Sequence, residues 1–101
     1  MGIVRYNPEA RKDLNEINLH YLQTTDKEMA TRVMARIFQD LRKLADRPIL
    51  DRSDSRLRQG QFWYYVKDSE YRVYYQRLNR NTIQVARVWP SKRDPLDPKS
   101  I

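Results

Sequence analysis

The chain offers few side chains that could act as a general acid, a general base or a nucleophile. Cysteine is absent, and His20 is the only histidine. A catalytic histidine needs a partner that orients it, and no partner for His20 is evident in the sequence. A single histidine among scattered carboxylates also lacks the ligand spacing of a metal site. We therefore predict no catalytic residue, no metal site and no cofactor, and we expect His20 to be structural or solvated.

The cationic side chains are the remaining groups that could take part in binding or in chemistry. The chain has 101 residues and a formal net charge of +7, and its two halves differ. The first fifty residues hold 9 Lys and Arg against 7 Asp and Glu, whereas the rest hold 11 against 6 and most of the aromatic residues. A basic, aromatic half is typical of a protein that binds an anionic partner, although the same charge could simply keep a small domain in solution.

The segment from Arg87 to Asp94 is the strongest candidate for a binding surface. It places cations beside an indole, an arrangement found at interaction surfaces. A cluster of cations could also stabilise phosphoryl transfer without a histidine. The alternatives are that these charges are solvated or ion-paired, and that Trp89 belongs to the core beside Ile83 and Val85. We predict these residues as the target-binding set: Arg72, Arg87, Trp89, Lys92 and Arg93.

Helical spacing dominates the first half of the chain. After a short strand over residues 3–6, Asn7 and Pro8 are suited to the cap and first position of a helix. Apolar residues then recur at helical spacing, at Ala10, Leu14, Ile17 and Tyr21. Thr25 and Glu28 match a capping box that starts a second helix, which Pro48 ends. The short connection between these helices favours an antiparallel hairpin.

Strand-like alternation dominates the second half. Residues 57–67, 71–77 and 82–89 read as three strands, after a polar connector at 49–56 that we expect to be mobile. Phe62 and Tyr64 should face the core, although an aromatic run can also stack on nucleic-acid bases. Apolar residues on both faces of the last strand indicate a central strand or a bulge near Ala86.

These elements predict an α+β fold of order β-α-α-β-β-β, in which a helical hairpin covers one face of a mostly antiparallel sheet. The opposite face should present Arg72, Tyr74 and Arg87 to solvent or a partner. We expect one domain over residues 1–101, with an extended, proline-containing tail at 90–101 that pairs with no strand. No signal peptide and no membrane span are visible, so we expect a cytoplasmic protein.

Motifs in chain order resemble the ParE toxins of type II toxin–antitoxin systems, within the ParE/RelE superfamily. They comprise Asn7-Pro8-Glu9-Ala10 with Asp13-Leu14 and Ile17, then Leu57-Arg58, Tyr71-Arg72-Val73-Tyr74-Tyr75, and finally Ile83, Arg87-Val88 and Arg93-Asp94-Pro95. The family often has a histidine three residues before the arginine of its final Arg-Asp, where this chain has Pro90. The substitution puts toxic activity in question.

The resemblance implies a toxin neutralised by a ParD-like antitoxin in a hetero-oligomer, with Leu14, Ile17, Tyr21 and Tyr74 as antitoxin contacts. ParE toxins inhibit DNA gyrase, whereas RelE toxins cleave mRNA on the ribosome and generally use a Tyr or His near the C-terminus. Residues 93–101 contain neither, which favours a gyrase inhibitor over an enzyme. The alternatives are a ribosome-dependent mRNA endoribonuclease of RelE type and a non-toxic antitoxin-binding module. Indirect contact with DNA or the ribosome is also left open.

Overall fold

The computed structural model describes residues 1–66 and 70–92 and confirms the predicted order of elements. Its helices and strands are β1 (Ile3–Tyr6), α1 (Pro8–Thr24), α2 (Lys27–Asp46), a 3-10 helix (Pro48–Leu50), β2 (Gln61–Tyr65), β3 (Tyr71–Asn79) and β4 (Thr82–Pro90). The strand order across the sheet is β1-β4-β3-β2. Among the described strands, β1 and β4 pair in parallel and the other pairs are antiparallel, so the sheet is mixed and mostly antiparallel as predicted.

The helical hairpin forms where predicted, but its second cap differs. Asp26, not Thr25, is the N-cap of α2, and its carboxylate accepts a 2.8 Å hydrogen bond from the Met29 backbone. Thr25 instead ends α1, where its hydroxyl donates to the Tyr21 carbonyl at 2.6 Å. Glu28 lies in the first turn of α2 and forms an exposed ion pair with Arg32. The predicted Thr25–Glu28 capping box is therefore wrong, because the neighbouring Asp26 caps the helix by accepting from the Met29 backbone N–H.

One apolar core lies between the helices and one face of the sheet. The apolar positions of α1 and α2 meet alternate residues of β3 and β4, as periods of 3.6 and 2 require. The most deeply buried side chains of this cluster are Ala10, Ile37, Leu41, Leu44, Ala45, Val66, Val73, Tyr75, Ile83, Val85 and Val88. Phe62 and Tyr64 pack against the cluster, as predicted.

A bulge in the central strand β4 decides which side chains reach that core. Tyr74 pairs with Arg87 and Tyr75 with Val85, so Ala86 is the extra residue. The bulge confirms the sequence prediction and reverses the alternation beyond it. As a result Val88 joins the core, while Trp89 lies on the opposite face. The alternative that placed Trp89 beside Ile83 and Val85 is therefore wrong.

Strand boundaries differ modestly from the prediction. β2 begins at Gln61 rather than at residue 57, after a turn in which Gly60 has a φ of 86°. β4 includes Pro90, which pairs with Tyr71, so pairing extends one residue into the predicted tail. The Ser91 backbone N–H then donates to the Glu70 carbonyl at 2.6 Å. The rest of that tail, residues 93–101, lies outside the described residues.

Contacts tie the connector between α2 and β2 to the sheet, contrary to the expected mobility. The Asp51 carboxylate accepts hydrogen bonds of 2.5 Å from the Tyr75 hydroxyl and from the Arg77 Nε. One residue further on, the Arg52 carbonyl accepts from the Trp63 backbone N–H at 3.0 Å. The connector therefore pairs with the outer edge of β2 at Trp63, which satisfies part of an edge that would otherwise expose its hydrogen-bonding groups.

Candidate binding surface

Arginine and aromatic side chains share the sheet face that points away from the core. Cross-strand partners lie on the same face, and the register pairs Trp63 with Tyr74, Tyr65 with Arg72, Arg72 with Trp89, and Tyr74 with Arg87. We call this set, together with the adjoining Arg52, the arginine–aromatic face. Its members are Arg52, Trp63, Tyr65, Arg72, Tyr74, Arg87 and Trp89.

Arg72 lies at the centre of this face, among aromatic rings. Its guanidinium carbon is 4.7 Å from the centre of the Trp63 ring and 5.0 Å from that of Tyr65. The two rings meet edge to face, with centroids 5.8 Å apart. A guanidinium in this position is attracted by the ring quadrupoles and held in a fixed orientation.

The hydrogen bonds of Arg72 go to phenols rather than to an acid. Its terminal nitrogens contact the hydroxyl of Tyr65 at 3.3 Å and that of Tyr74 at 3.5 Å. Its Nε is buried and has no hydrogen-bond partner. The hydrogen bond with Tyr74 raises the pKa of Arg72 above its usual value, so the side chain remains a full cation. Arg72 therefore retains hydrogen-bonding capacity for another molecule.

Arg52 approaches the same indole. Its guanidinium carbon lies 5.4 Å from the Trp63 ring centre, and its side chain is exposed. The position is set by the antiparallel bridge between Arg52 and Trp63. Sequence reasoning missed this residue because it treated the connector as mobile. The alternation of Arg, Ser and Asp around position 52 carries no local signal of a contact with the sheet.

Arg87 is held by an acid of α1. Its Nε and one terminal nitrogen donate to the two carboxylate oxygens of Asp13 at 2.8 and 3.0 Å. The Val88 backbone N–H donates to the same carboxylate at 3.0 Å. This N–H lies beyond the end of β1, where β4 has lost its parallel neighbour, so Asp13 replaces a strand partner. The hydrogen bond with Asp13 raises the pKa of Arg87.

Arg77, towards the C-terminal end of β3, is also held by an acid, as Arg87 is. Beside its bonds with Asp51, it donates to the carbonyls of Leu44 and Ala45 at 2.8 and 2.9 Å. These carbonyls belong to the last turn of α2, where backbone acceptors lack helical partners and a cation is favourable. Arg77 thus joins the helix end, the connector and the sheet.

The C-terminal end of β4 supplies the other predicted target contacts. Trp89 is half-buried, and the guanidinium carbon of Arg87 lies 5.0 Å from its ring centre. Lys92 is exposed and forms a 2.9 Å ion pair with the exposed Glu70. Such a pair contributes little to stability, so Lys92 can exchange it for another anion. Arg93 lies outside the described residues.

Comparison with known proteins identifies the family. The family model described as the ParE toxin of type II toxin–antitoxin system, parDE, matches residues 4–95. The chain belongs to the ParE toxin family. This confirms the resemblance inferred from the motifs, and membership of a toxin–antitoxin family implies an antitoxin partner. No curated protein sequence matches the chain significantly.

Solved structures show the same fold. A chain of the chromosomal ParDE toxin–antitoxin system of P. aeruginosa superposes with a TM-score of 0.73 at 17% identity, over 91% of this chain and 98% of that one. The isolated E. coli RelE toxin gives a TM-score of 0.60 at 15% identity, over 93% and 88%. The β-α-α-β-β-β architecture is therefore shared with both branches of the superfamily.

The residues predicted to contact the antitoxin are not one open surface in this ParE-family chain. Leu14 and Ile17 belong to the core, with 6% and 5% of their surface exposed. Tyr74 is 6% exposed, contrary to its predicted display on the sheet face. Tyr21 is half-buried at the edge of the core, where its ring meets that of His20. Leu14, Ile17 and Tyr74 are therefore buried in this structure. The assignment of all four residues as antitoxin contacts stays a prediction.

Residues 1–66 and 70–92 contain no group of three His, Cys, Asp or Glu residues that could hold a metal ion. Within the same two ranges, no helix is long and apolar enough to cross a membrane. His20 is exposed on α1 and its ring packs edge to face against Tyr21, with centroids 5.3 Å apart.

Proposed function

We propose that this chain is the toxin of a type II toxin–antitoxin pair that binds and inhibits DNA gyrase, and that a ParD-like antitoxin neutralises it in a hetero-oligomer. The observation that carries the proposal is the match to the ParE family over residues 4–95. A gyrase inhibitor acts where chromosomal DNA is, so the proposal places the chain in the cytoplasm.

The geometry of the arginines supports binding rather than bond-making. Arg77 and Arg87 both donate to carboxylates of this chain at 3.0 Å or less. These carboxylates neutralise the positive charge that would otherwise stabilise a transferred phosphoryl group. A cation that stabilises developing charge is most effective when preorganised toward the substrate rather than neutralised by a protein acid. Arg87 is therefore reassigned from a direct target contact to a residue that positions Trp89.

The surface proposed to contact gyrase comprises the aromatic and cationic groups that remain accessible. Trp89 supplies a large, rigid contact area, and Arg72 and Lys92 supply charge. Arg93, which follows directly in sequence, stays in the proposed set. Interfaces are commonly dominated by a few such aromatic and arginine residues, and their surroundings mainly exclude water.

A supercoiling assay with purified gyrase tests the proposal. We expect the purified chain to inhibit supercoiling at micromolar concentration. Lys92→Ala should weaken inhibition about three- to tenfold, since one exposed charge contact is lost. The matched control is Lys12→Ala, which removes an exposed lysine from α1 and should leave inhibition unchanged. Undisturbed supercoiling at every toxin concentration would refute gyrase as the target.

The alternative of ribosome-dependent RNA cleavage retains one structural argument. Arg72 lies on the sheet face away from the core, and its hydrogen bonds go to phenols rather than to an acid. Mapping of mRNA 5′ ends in a translation extract separates the two activities. We expect intact message in the presence of the chain. New ends that depend on the ribosome and disappear in Arg72→Gln would replace the gyrase proposal with a nuclease.

A further inference from the structure

We propose that Arg52 and Arg72 form a clamp for a carboxylate, and that its ligand is an acidic segment of the antitoxin. The inference deepens the proposed function, since it rests on the chain being a toxin with an antitoxin partner. It names the chemistry by which the antitoxin would cover the arginine–aromatic face.

Two cations lie against one indole, and neither forms an ion pair with a described carboxylate. The guanidinium carbons of Arg52 and Arg72 lie 5.4 and 4.7 Å from the centre of the same Trp63 ring. Within the described part of the chain, neither makes an ion pair with a carboxylate. An anion on this face of the sheet would therefore be attracted by two cations that no carboxylate of the described chain neutralises.

The nearby acid is already occupied. Asp54 follows Arg52 closely in sequence, but its two oxygens accept from the Arg56 side chain at 3.3 and 3.0 Å. The hydrogen bonds from Arg56 lower the pKa of Asp54 to about 2, and Arg72 adds a small electrostatic contribution. The arginines of the surrounding region are thus compensated by Asp54, Asp13 and Asp51, while the pair on Trp63 is not.

Arg72 is prepared to donate a hydrogen bond. Its Nε is buried with no acceptor, and leaving a charged donor unpaired is costly. Its plane is fixed by the Trp63 and Tyr65 rings. An arginine with a fixed orientation recognises a planar carboxylate through two parallel hydrogen bonds. A modest shift of the phenol contacts, which are 3.3 and 3.5 Å long, would admit such a ligand.

The arrangement fits an acidic peptide better than a nucleic acid. A nucleic acid needs several phosphate contacts along a basic track, and here Arg87 is neutralised by Asp13, which interrupts the track. Bases would stack on open aromatic faces, whereas guanidiniums already lie over the Trp63 ring. An acidic partner also complements the net charge of +7.

The consequence is a physical route to neutralisation. Arg72 is paired across the sheet with Trp89, which is part of the proposed gyrase surface. An acidic segment seated on Arg52 and Arg72 would cover this surface. The antitoxin would then exclude the target by occupying its contact residues, with no change in the fold of the toxin.

Nuclear magnetic resonance of the full chain tests the clamp with defined probes. The signals followed are the Arg72 Nε–H and the Trp63 indole N–H, during titration with a hexaglutamate peptide and, separately, with a short oligothymidylate at matched low salt. We expect hexaglutamate to shift both signals. Arg72→Lys should weaken the peptide at least about tenfold, because it keeps the charge and loses the paired hydrogen bonds.

Arg5→Lys is the matched control, since Arg5 is exposed on β1 and the change also conserves charge. It should bind hexaglutamate as the unmodified chain does, and an unchanged amide spectrum of β3 should show that Arg72→Lys is folded. Three results would overturn the clamp: no shift of the two signals, equal peptide affinity in Arg72→Lys, or tighter binding of oligothymidylate through the same signals. None of these readouts involves gyrase, so the clamp and the gyrase proposal fail separately.

Discussion

Arg77 and Arg72 lie on the same strand, five positions apart, and differ in everything their side chains contact. Arg77 is 11% exposed and donates to Asp51 and to two carbonyls at the end of α2. Arg72 lies between aromatic rings, with phenols as its only hydrogen-bond partners among the described residues. The first arginine joins parts of the fold, and the second presents a charge outward.

The difference teaches that the partner, rather than the residue type, separates a structural arginine from a binding one. Arg87 belongs with Arg77, since the Asp13 carboxylate accepts its hydrogen bonds. Arg52 belongs with Arg72, since both lie against Trp63. Removing a cation from a buried pair leaves an uncompensated acid, whereas removing an unpaired cation leaves none.

The largest effect is expected from Arg77→Met, which leaves Asp51 buried without its cation. We expect a loss of about 3–5 kcal/mol in the free energy of unfolding, measured by urea denaturation. The control Arg80→Met changes an exposed arginine in the adjoining turn and should cost less than about 0.5 kcal/mol. A similar small loss in both variants would show that Arg77 is not a structural residue.

Asp13→Asn should give the next largest loss, about 2–3 kcal/mol, because it removes charge from a pair that is less buried. Thermal or urea unfolding measures it, with Glu28→Gln, which removes an exposed acid of α2, as the control. Changing Arg87→Gln as well should recover part of the loss, since no cation then remains unpaired. Additive losses in the double variant would contradict a direct Asp13–Arg87 interaction.

Tyr75 should make the Arg77 region sensitive to alkaline pH. Burial raises the pKa of Tyr75 above its ordinary value of 10.0, and the hydrogen bond to Asp51 adds to this. A raised pKa in the folded state means that the contribution to stability is present below pH 10 and declines as pH rises further. Tyr75→Phe should cost about 1 kcal/mol at neutral pH. Tyr75→Phe should also flatten the fall in unfolding free energy above pH 10. Parallel curves of unfolding free energy against pH for the variant and the unmodified chain would show that Tyr75 does not cause this fall.

Arg72→Gln should have the smallest effect on stability. The lost cation–π contacts, about 0.5–1 kcal/mol each at exposed sites, are offset by removal of the buried, unpartnered Nε. We expect a net change within about 1 kcal/mol in the same urea experiment. A loss as large as that of Arg77→Met would place Arg72 among the structural arginines and end the contrast between the two.

Local patterns in the sequence predicted most of the fold. The spacing of Ala10, Leu14 and Ile17 predicted the buried stripe of α1, and all three are in the core. The alternation of Phe62 and Tyr64 with their neighbours predicted the two faces of β2. Such patterns succeed because helix and strand periods are set by the backbone, within a few residues of each position.

Local patterns failed where neighbouring residues compete or where the chain folds back. Thr25 and Asp26 are both good caps, and only the observed geometry shows that Asp26 binds the Met29 backbone. Trp89 was open to either face, and the bulge at Ala86 placed it away from the core. A shift of one residue in register reverses the face of every side chain beyond it.

By itself, the sequence determined the order of elements, the helical hairpin, the core stripe and the concentration of charge and aromatic residues in the second half. Tertiary structure decided which arginines are neutralised. Asp13 and Arg87 are 74 residues apart, and Asp51 and Arg77 are 26 apart. Local periodicity carries no information over such distances, because these contacts depend on how the helices dock and how the strands pair. Ion pairing requires atoms within about 4 Å, and only the folded chain sets that distance.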